Sequence, residues 1–426
     1  MAPVRTGRQE ISPGRAATPA IQETSTTSSM GVGAAMSTKK TAKHDAGLQH
    51  TLPGIEGSLS QREQLAIISR IPARELHEEL LVTNYQPDRA IREAVLAPAE
   101  NWKPASDSLA YSASNQLLVY LGDQRNPLPV EEALSTIREF SASTVLTARI
   151  ALAIWHKRRY EQHLAKNGAA ALRLDEILAM RGFKKRSVSA YPDSDSDTRY
   201  TIGYRQEDKQ AILLDLSLLQ RCYVRGECTV MVGGRWQQFS VDDAYLRYSI
   251  VYRKTGRGRE ISGLFVAAGD WINVYEDQGA FFLAAVEQQV FQLNPHDEQH
   301  ELRIALYLTE RWREQARRGN YDEPISMQDL LDESVIPIDK KHAYRFIPRI
   351  EDALHQLFAK GILGAEPLCL NPPNKEAPRW TGAWLASQWV LLPPGVIMSR
   401  YQRMTAAAGP ILLEHAKATD AHRDAR

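Results

Sequence analysis

The groups in this 426-residue chain that could do chemistry are cations, and they stand in clusters. Lys184, Lys185 and Arg186 form one run, with Arg199, Arg205 and Lys209 close behind. Arg253, Lys254, Arg257 and Arg259 are spaced around Thr255, Gly256 and Gly258. Lys340, Lys341, Tyr344, Arg345 and Arg349 make the third group. Lysine supplies a point charge for a phosphate, whereas arginine can bridge O6 and N7 of guanine with two hydrogen bonds. Positions 341, 345 and 349 recur every four residues, so on a helix they would share one face. A solvated helix face carries the same kind of run. What favours DNA contact is where each cluster falls within a larger repeated unit.

Other chemistries find little support. His296 and His300 have a spacing that can hold zinc on a helix, but the protease motif needs Glu after the first His, and Asp297 stands there. Asn294-Pro295 marks a helix start, so His296 to Glu298 reads as an acidic first turn. Asp193, Asp195 and Asp197 alternate in a polar insert, Ser187 to Thr198, that reads as a mobile surface loop. There is no Gly-x4-Gly-Lys-Ser/Thr loop and no Gly-x-Ser-x-Gly elbow, and no His-hydrophobe-His pattern of the nickases. Cys222, Cys228 and Cys369 are too few for a disulfide scaffold, and the first two read as core. The expectation is a protein with no catalytic residue, no metal and no cofactor, and not an enzyme.

Charge distribution points the same way as the clusters. Net charge is +1, but residues 141–260 hold 21 Lys/Arg against 13 Asp/Glu. Residues 261–426 hold 17 against 22, so in that half the case rests on local clusters. A basic block in a near-neutral chain is the electrostatic footprint of a phosphate-binding module. No apolar run approaches the roughly 20 residues of a membrane span. Met1 to Gly14 lacks an apolar signal-peptide core, which leads to the expectation of a cytoplasmic, nucleoid- or plasmid-associated protein without membrane contact.

The elements that would position these cations come twice. Arg149-Ile-Ala-Leu152 opens a basic helix, Val145 to Leu164, whose Leu146, Ile150, Ala153 and Ile154 face inward; Lys157, Arg158, Arg159 and Lys166 face outward. Ser143-Thr144 is its expected N-cap. Arg303-Ile-Ala-Leu306 opens a second helix, His300 to Arg318, 154 positions on. A second helix follows in each copy, Leu172 to Arg181 and Ser326 to Ser334, at an offset of 153 between Leu174 and Met327. A third follows, Gln206 to Cys222 and Lys341 to Lys360, where the offset, from Asp215 to Asp352, falls to 137 because copy one carries the insert. After the third helix come strand-like runs. They are Cys228–Val232, Ala244–Tyr252 and Ile261–Val266 in copy one, then one starting at Ile362-Leu363 and one over Trp384 to Leu392 in copy two.

The expected fold is α+β and predominantly helical. Residues 1–50, without Phe, Trp or Tyr, form a disordered tail. Residues 51–140 form a helical extension, with helices over Ser58–Leu81 and Val130–Phe140 and a proline-broken connector over 86–128. Unit one covers 141–268, a bridge 269–298, unit two 299–408 and a frayed tail 409–426.

Each unit resembles a winged helix-turn-helix, and the pair resembles the plasmid replication initiators built from two winged-helix domains. The residues carrying the resemblance are the two Arg-Ile-Ala-Leu helices, Leu174–Phe183 with Ile325–Ile336, and the third helices with Leu213–Leu219 and Ile350–Leu363. The resemblance implies binding to repeated origin sites in double-stranded DNA, autorepression, homodimerisation, and a host replicative helicase or initiator as partner. It also implies Lys340, Lys341, Arg345 and Arg349 as origin readers, with Lys184 to Arg186 and Arg205 as their counterparts, and Arg253 to Arg259 as a wing. A winged-helix transcriptional regulator and a tandem winged-helix protein–protein module of a chromosome or partition complex fit the same residues.

Overall fold

In the computed structural model the described residues are 59–71, 80–105, 108–123, 126–159, 165–166, 168–189, 199–232, 235–256, 258–276, 283–377 and 380–404. The expected tails 1–50 and 409–426, the aspartates of the insert and Arg257 lie outside them.

The stretch before the first unit mixes helix and sheet. Helix α1 (Gln61–Ser69) starts at a capping box: Ser60 Oγ accepts from Glu63 N at 3.3 Å, and the Glu63 carboxylate accepts from Ser60 N at 2.9 Å. It ends at Ser69, and Leu80-Leu81, expected on the same helix, belong to strand β1 (Leu80–Thr83). Then come α2 (Gln86–Leu96), β2 (Lys103–Ala105), β3 (Ser108–Ser112), β4 (Leu118–Asp123), β5 (Asn126–Pro127) and α3 (Val130–Glu139). The expectation of a helical extension is thus corrected, because the prolines read as breakers sit where they do no harm. Pro87 lies in the first turn of α2, where a backbone N–H has no helical partner to lose. Pro104 lies on β2, the edge of its sheet. In β4, Val119 and Leu121 are buried at alternate positions, the period of a strand with one face inward.

The first unit opens with α4 (Ala142–Arg159), then β6 (Ala165–Lys166), β7 (Ala169–Leu172) and α5 (Leu174–Met180). A hairpin of β8 (Arg186–Ser189) and β9 (Arg199–Gly203) precedes α6 (Gln206–Gln220). Four strands follow: β10 (Cys222–Val232), β11 (Arg235–Ala244), β12 (Leu246–Thr255) and β13 (Gly258–Ala268). The sequence suggested three, with Cys228–Val232 joined to Ala244–Tyr252. Instead β10 turns into β11, a strand with Arg235 to Gln238 exposed and hence no apolar alternation to read. β10 pairs with β4, so the hairpin extends the N-terminal sheet in the order β11-β10-β4-β3-β2. β12 and β13 form a separate sheet in the order β12-β13-β7-β6.

The bridge holds α7 (Trp271–Glu276), β14 (Leu283–Val286) and α8 (Gln288–Gln292), and β14 pairs antiparallel with β1. The second unit comprises α9 (Gln299–Arg318), β15 (Ile325–Ser326), α10 (Met327–Glu333), α11 (Ala343–Ala359), β16 (Leu368–Cys369), α12 (Trp380–Leu385) and β17 (Gln388–Val390). Residues 395–404 close as a helix. Ile362 and Leu363 are buried in the turn after α11 rather than in a strand, and Trp384 lies on α12, not on the returning strand.

With β6 and β8 to β11 of unit one and α12 of unit two set aside, the two units share a core order of helix, strand, helix, helix, strand, strand, in which the first strand pairs antiparallel with the last. β7 lies on β13, with Leu172 opposite Leu264, and β15 lies on β17, with Ile325 opposite Trp389. In each sheet the last strand is central. Helices α5 and α10 are both seven residues long and start 153 positions apart. Their C-terminal turns match bond for bond. Gly182 N donates to Ala179 O and Phe183 N to Leu178 O; Val335 N donates to Asp332 O and Ile336 N to Leu331 O. The inward set expected on α4, from Leu146 to Ile154, is buried. Among the described residues no helix is long and apolar enough to cross a membrane.

Candidate nucleic-acid interface

Copy one assembles its basic surface around the start of α6. The helix is anchored midway by Asp215, buried against α4, where its carboxylate accepts from Ser143 Oγ at 2.8 Å, Thr144 Oγ1 at 2.9 Å and Thr147 Oγ1 at 2.7 Å. Burial raises the Asp215 pKa against the pull of these hydrogen bonds and Arg181. Ser143 and Thr144, expected as a helix cap, therefore hold α6 to α4 from within a helix that starts at Ala142.

With α6 fixed, its first turn faces outward. Arg205 is its exposed N-cap residue, and Lys209, one turn in, pairs with Asp175 of α5 at 2.9 Å. Gln206, Lys209, Arg173 and Asp175 line an open groove of ≈ 660 Å³ whose other wall is Tyr252, Arg259 and Glu260. The start of the third helix and the β12–β13 hairpin thus flank one depression. On the hairpin, Arg253 lies 3.7 Å from Glu260, and Lys254 stands directly opposite Arg259. Lys184, Lys185 and Arg186 are exposed after Gly182, and the Lys185 ammonium sits 5.5 Å above the Tyr204 ring, next to Arg205. Arg199 begins β9, but its side chain, like the whole of Arg257, lies outside the described residues.

One expected outward cation is wrong. Arg158 is fully buried, donates to Ala171 O at 2.7 Å and pairs with Glu176, which also accepts from Arg173 N at 2.7 Å. Its charge fastens α4 to the start of α5. Lys157 on the same turn is exposed.

Copy two presents a shorter surface. Asp339 accepts from Lys341 N and His342 N, both at 3.0 Å, and contacts His342 Nδ1 at 2.9 Å, shaping the turn that leads into α11. The His342 contacts hold the Asp339 carboxyl below the ordinary range. Because α11 begins at Ala343, Lys340 and Lys341 lie in the turn, and the expected line of 341, 345 and 349 on one helix starts only at Arg345. Tyr344, Arg345 and Arg349 are exposed, with the Arg345 guanidinium 5.2 Å from the Tyr344 ring centre. Phe346, Ile347, Ile350, Ala353, Leu354 and Leu357 bury the opposite face, which fixes the cationic face outward. His296 to Glu298, expected as an acidic first helical turn, precede α9, and the turn they lie in is tied by Asn294 N donating to the Glu298 carboxylate at 2.7 Å.

Residue spacing carries no sign of the contacts that join the copies. Arg149 of the first Arg-Ile-Ala-Leu helix pairs with Glu310 of α9 and donates to Thr83 O. Arg92 of α2 grips the same carboxylate through two bonds of 3.0 Å. Although burial opposes ionisation, Arg92 and Arg149 hold the Glu310 pKa below its usual value. Arg303, the second-copy equivalent of Arg149, instead donates to the carbonyls of Val335 and Leu96. Arg173, Gln206 and Tyr252, which line the groove, were also unforeseen, because only the folded chain sets them beside Lys209.

No family model matches the chain, and no curated protein is similar to it. Among solved structures, the selenomethionine derivative of domains 2 and 3 of RctB is similar over 71% of this chain and 97% of that one, with 12% identity and a TM-score of 0.37.

Proposed function

We propose that the chain is a sequence-specific double-stranded DNA-binding protein of the replication-initiator type, built from two winged helices. The observation carrying this reading is the repeated topology, with an exposed cationic start to the third helix in both copies. In a helix-turn-helix that helix enters the major groove, and flanking residues reach phosphates. The groove between α6 and the β12–β13 hairpin supplies copy one with both a reading helix and a wing, as that docking needs. Arg205 and Arg345 are the base-reading candidates. Lys184, Lys185, Arg186, Lys209, Lys254, Arg259, Lys340, Lys341 and Arg349 are phosphate contacts. Arg92, Arg149 and Glu310 hold the two units at a fixed spacing, which suits successive faces of one duplex.

On this reading the protein works in the cytoplasm as a non-enzyme, with a homodimer and a host helicase as further partners. Cloning the gene with its flanking DNA onto a replicon-less circle tests it. The account expects the circle to persist, and a mobility shift on repeated elements within that flank. A circle that is lost, together with binding to a single palindromic site, would favour a transcriptional regulator instead.

A further inference from the structure

Away from both basic surfaces, a cavity of ≈ 150 Å³ opens between the start of α2, the β10–β11 hairpin and α9. Its inner end is aromatic: Tyr85 and Tyr275, both buried, pack with ring centres 4.5 Å apart. Its lip is Trp236, 60% exposed on an edge strand, where an indole gains nothing from the fold. Asn84 lines it and is 3% exposed, yet neither its amide nitrogen nor its amide oxygen has a hydrogen-bond partner among the described residues. A buried amide with both ends unsatisfied is costly, and a ligand that pairs with it removes that cost. Arg313 and Arg317 of α9 complete the wall, and Glu314 beside them is engaged by Arg89.

We propose that this cavity binds a pyrimidine nucleotide. A cavity of about 150 Å³ takes up one six-membered ring. The Asn84 amide offers one donor and one acceptor side by side, the complement of a pyrimidine's pairing edge. Trp236 supplies a stacking face at the mouth, and the arginines meet the phosphate. The ligand is either a free nucleotide or an unstacked residue of a single strand, since both present the same ring and phosphate. The site is separate from the duplex-binding surfaces and does not rest on that reading.

Equilibrium titration of the full chain with dTMP, oligo(dT), dAMP and inorganic phosphate tests this. The proposal expects saturable binding of dTMP or oligo(dT) in preference to dAMP and phosphate, weakened about tenfold by Trp236→Ala and also weakened by Asn84→Leu. Trp236 is exposed, so its variant should keep the wild-type melting temperature and duplex affinity. Binding of dTMP would identify a free-nucleotide site, and binding of oligo(dT) alone a strand site. Absence of binding, equal binding of phosphate, or unchanged affinity in both variants would overturn the proposal.

Discussion

Gly182 and Val335 occupy the same place in the two copies, 153 positions apart, and both have left-handed backbone, with φ of +72° and +56°. Each turns the chain out of its seven-residue helix through the same pair of hydrogen bonds. Glycine adopts that conformation freely, whereas a β-branched residue is strained there by about 1–2 kcal/mol.

The asymmetry gives the first prediction. Gly182→Val should destabilise the fold by about 1–2 kcal/mol, since it adds that strain and brings a Cβ within 3.1 Å of Gln292 Cγ. Val335→Gly should cost less than about 1 kcal/mol despite deleting a half-buried side chain. Denaturant unfolding of both variants checks this. A loss of several kcal/mol in Val335→Gly would mean that the turn is not strained.

Glu310→Ala should destabilise the protein by about 3–5 kcal/mol, because it leaves Arg92 and Arg149 buried without their shared carboxylate. Glu314→Ala, one turn along α9 and half-exposed, should cost no more than about 1 kcal/mol. Equal effects in urea titrations would contradict the view that Glu310 joins the copies.

Position 310 of copy two corresponds to His156 in copy one, and there burial, with Arg159 nearby, lowers the imidazole pKa to about 4. A histidine with a depressed pKa is neutral in the fold and protonates first in the unfolded chain. Its contribution is complete above about pH 6.5 and is lost as pH falls towards 4, by up to about 3 kcal/mol. Unfolding measured from pH 7 to 4 should therefore show a slope that His156→Gln flattens. An unchanged slope would mean that other groups carry the acid sensitivity.

Lys254 and Arg259 face each other across the β12–β13 hairpin, a like-charge pair that costs stability. Arg259→Glu should raise stability by a fraction of a kcal/mol, roughly 0.2–1, while weakening duplex binding. Melting and mobility-shift titrations together test this. A variant that gains stability and keeps full affinity would remove the hairpin from the interface.

Much of the repeat was legible because apolar spacing and a fixed offset are sequence properties. The offset of 153 locates α5 and α10, and that of 137 locates α6 and α11. What escaped depends on long-range pairing. Leu80 and Leu81 carry no sign of joining β14, about 200 residues on, and β11 is a polar edge strand whose partner alone defines it. Among the site residues, Arg158 reads like Lys157 until Glu176 arrives from the next helix. Lys341 reads as helical because the Asp339 turn that excludes it rests on side-chain geometry rather than periodicity.

The most direct test of the central claim, that the start of the third helix in each copy meets DNA phosphates or bases, is the salt dependence of duplex affinity. Log K against log salt should be steep for the wild type, and Lys341→Ala and Lys209→Ala should each reduce the slope by about 0.9, one phosphate apiece. Slopes identical to wild type in both variants would contradict the account.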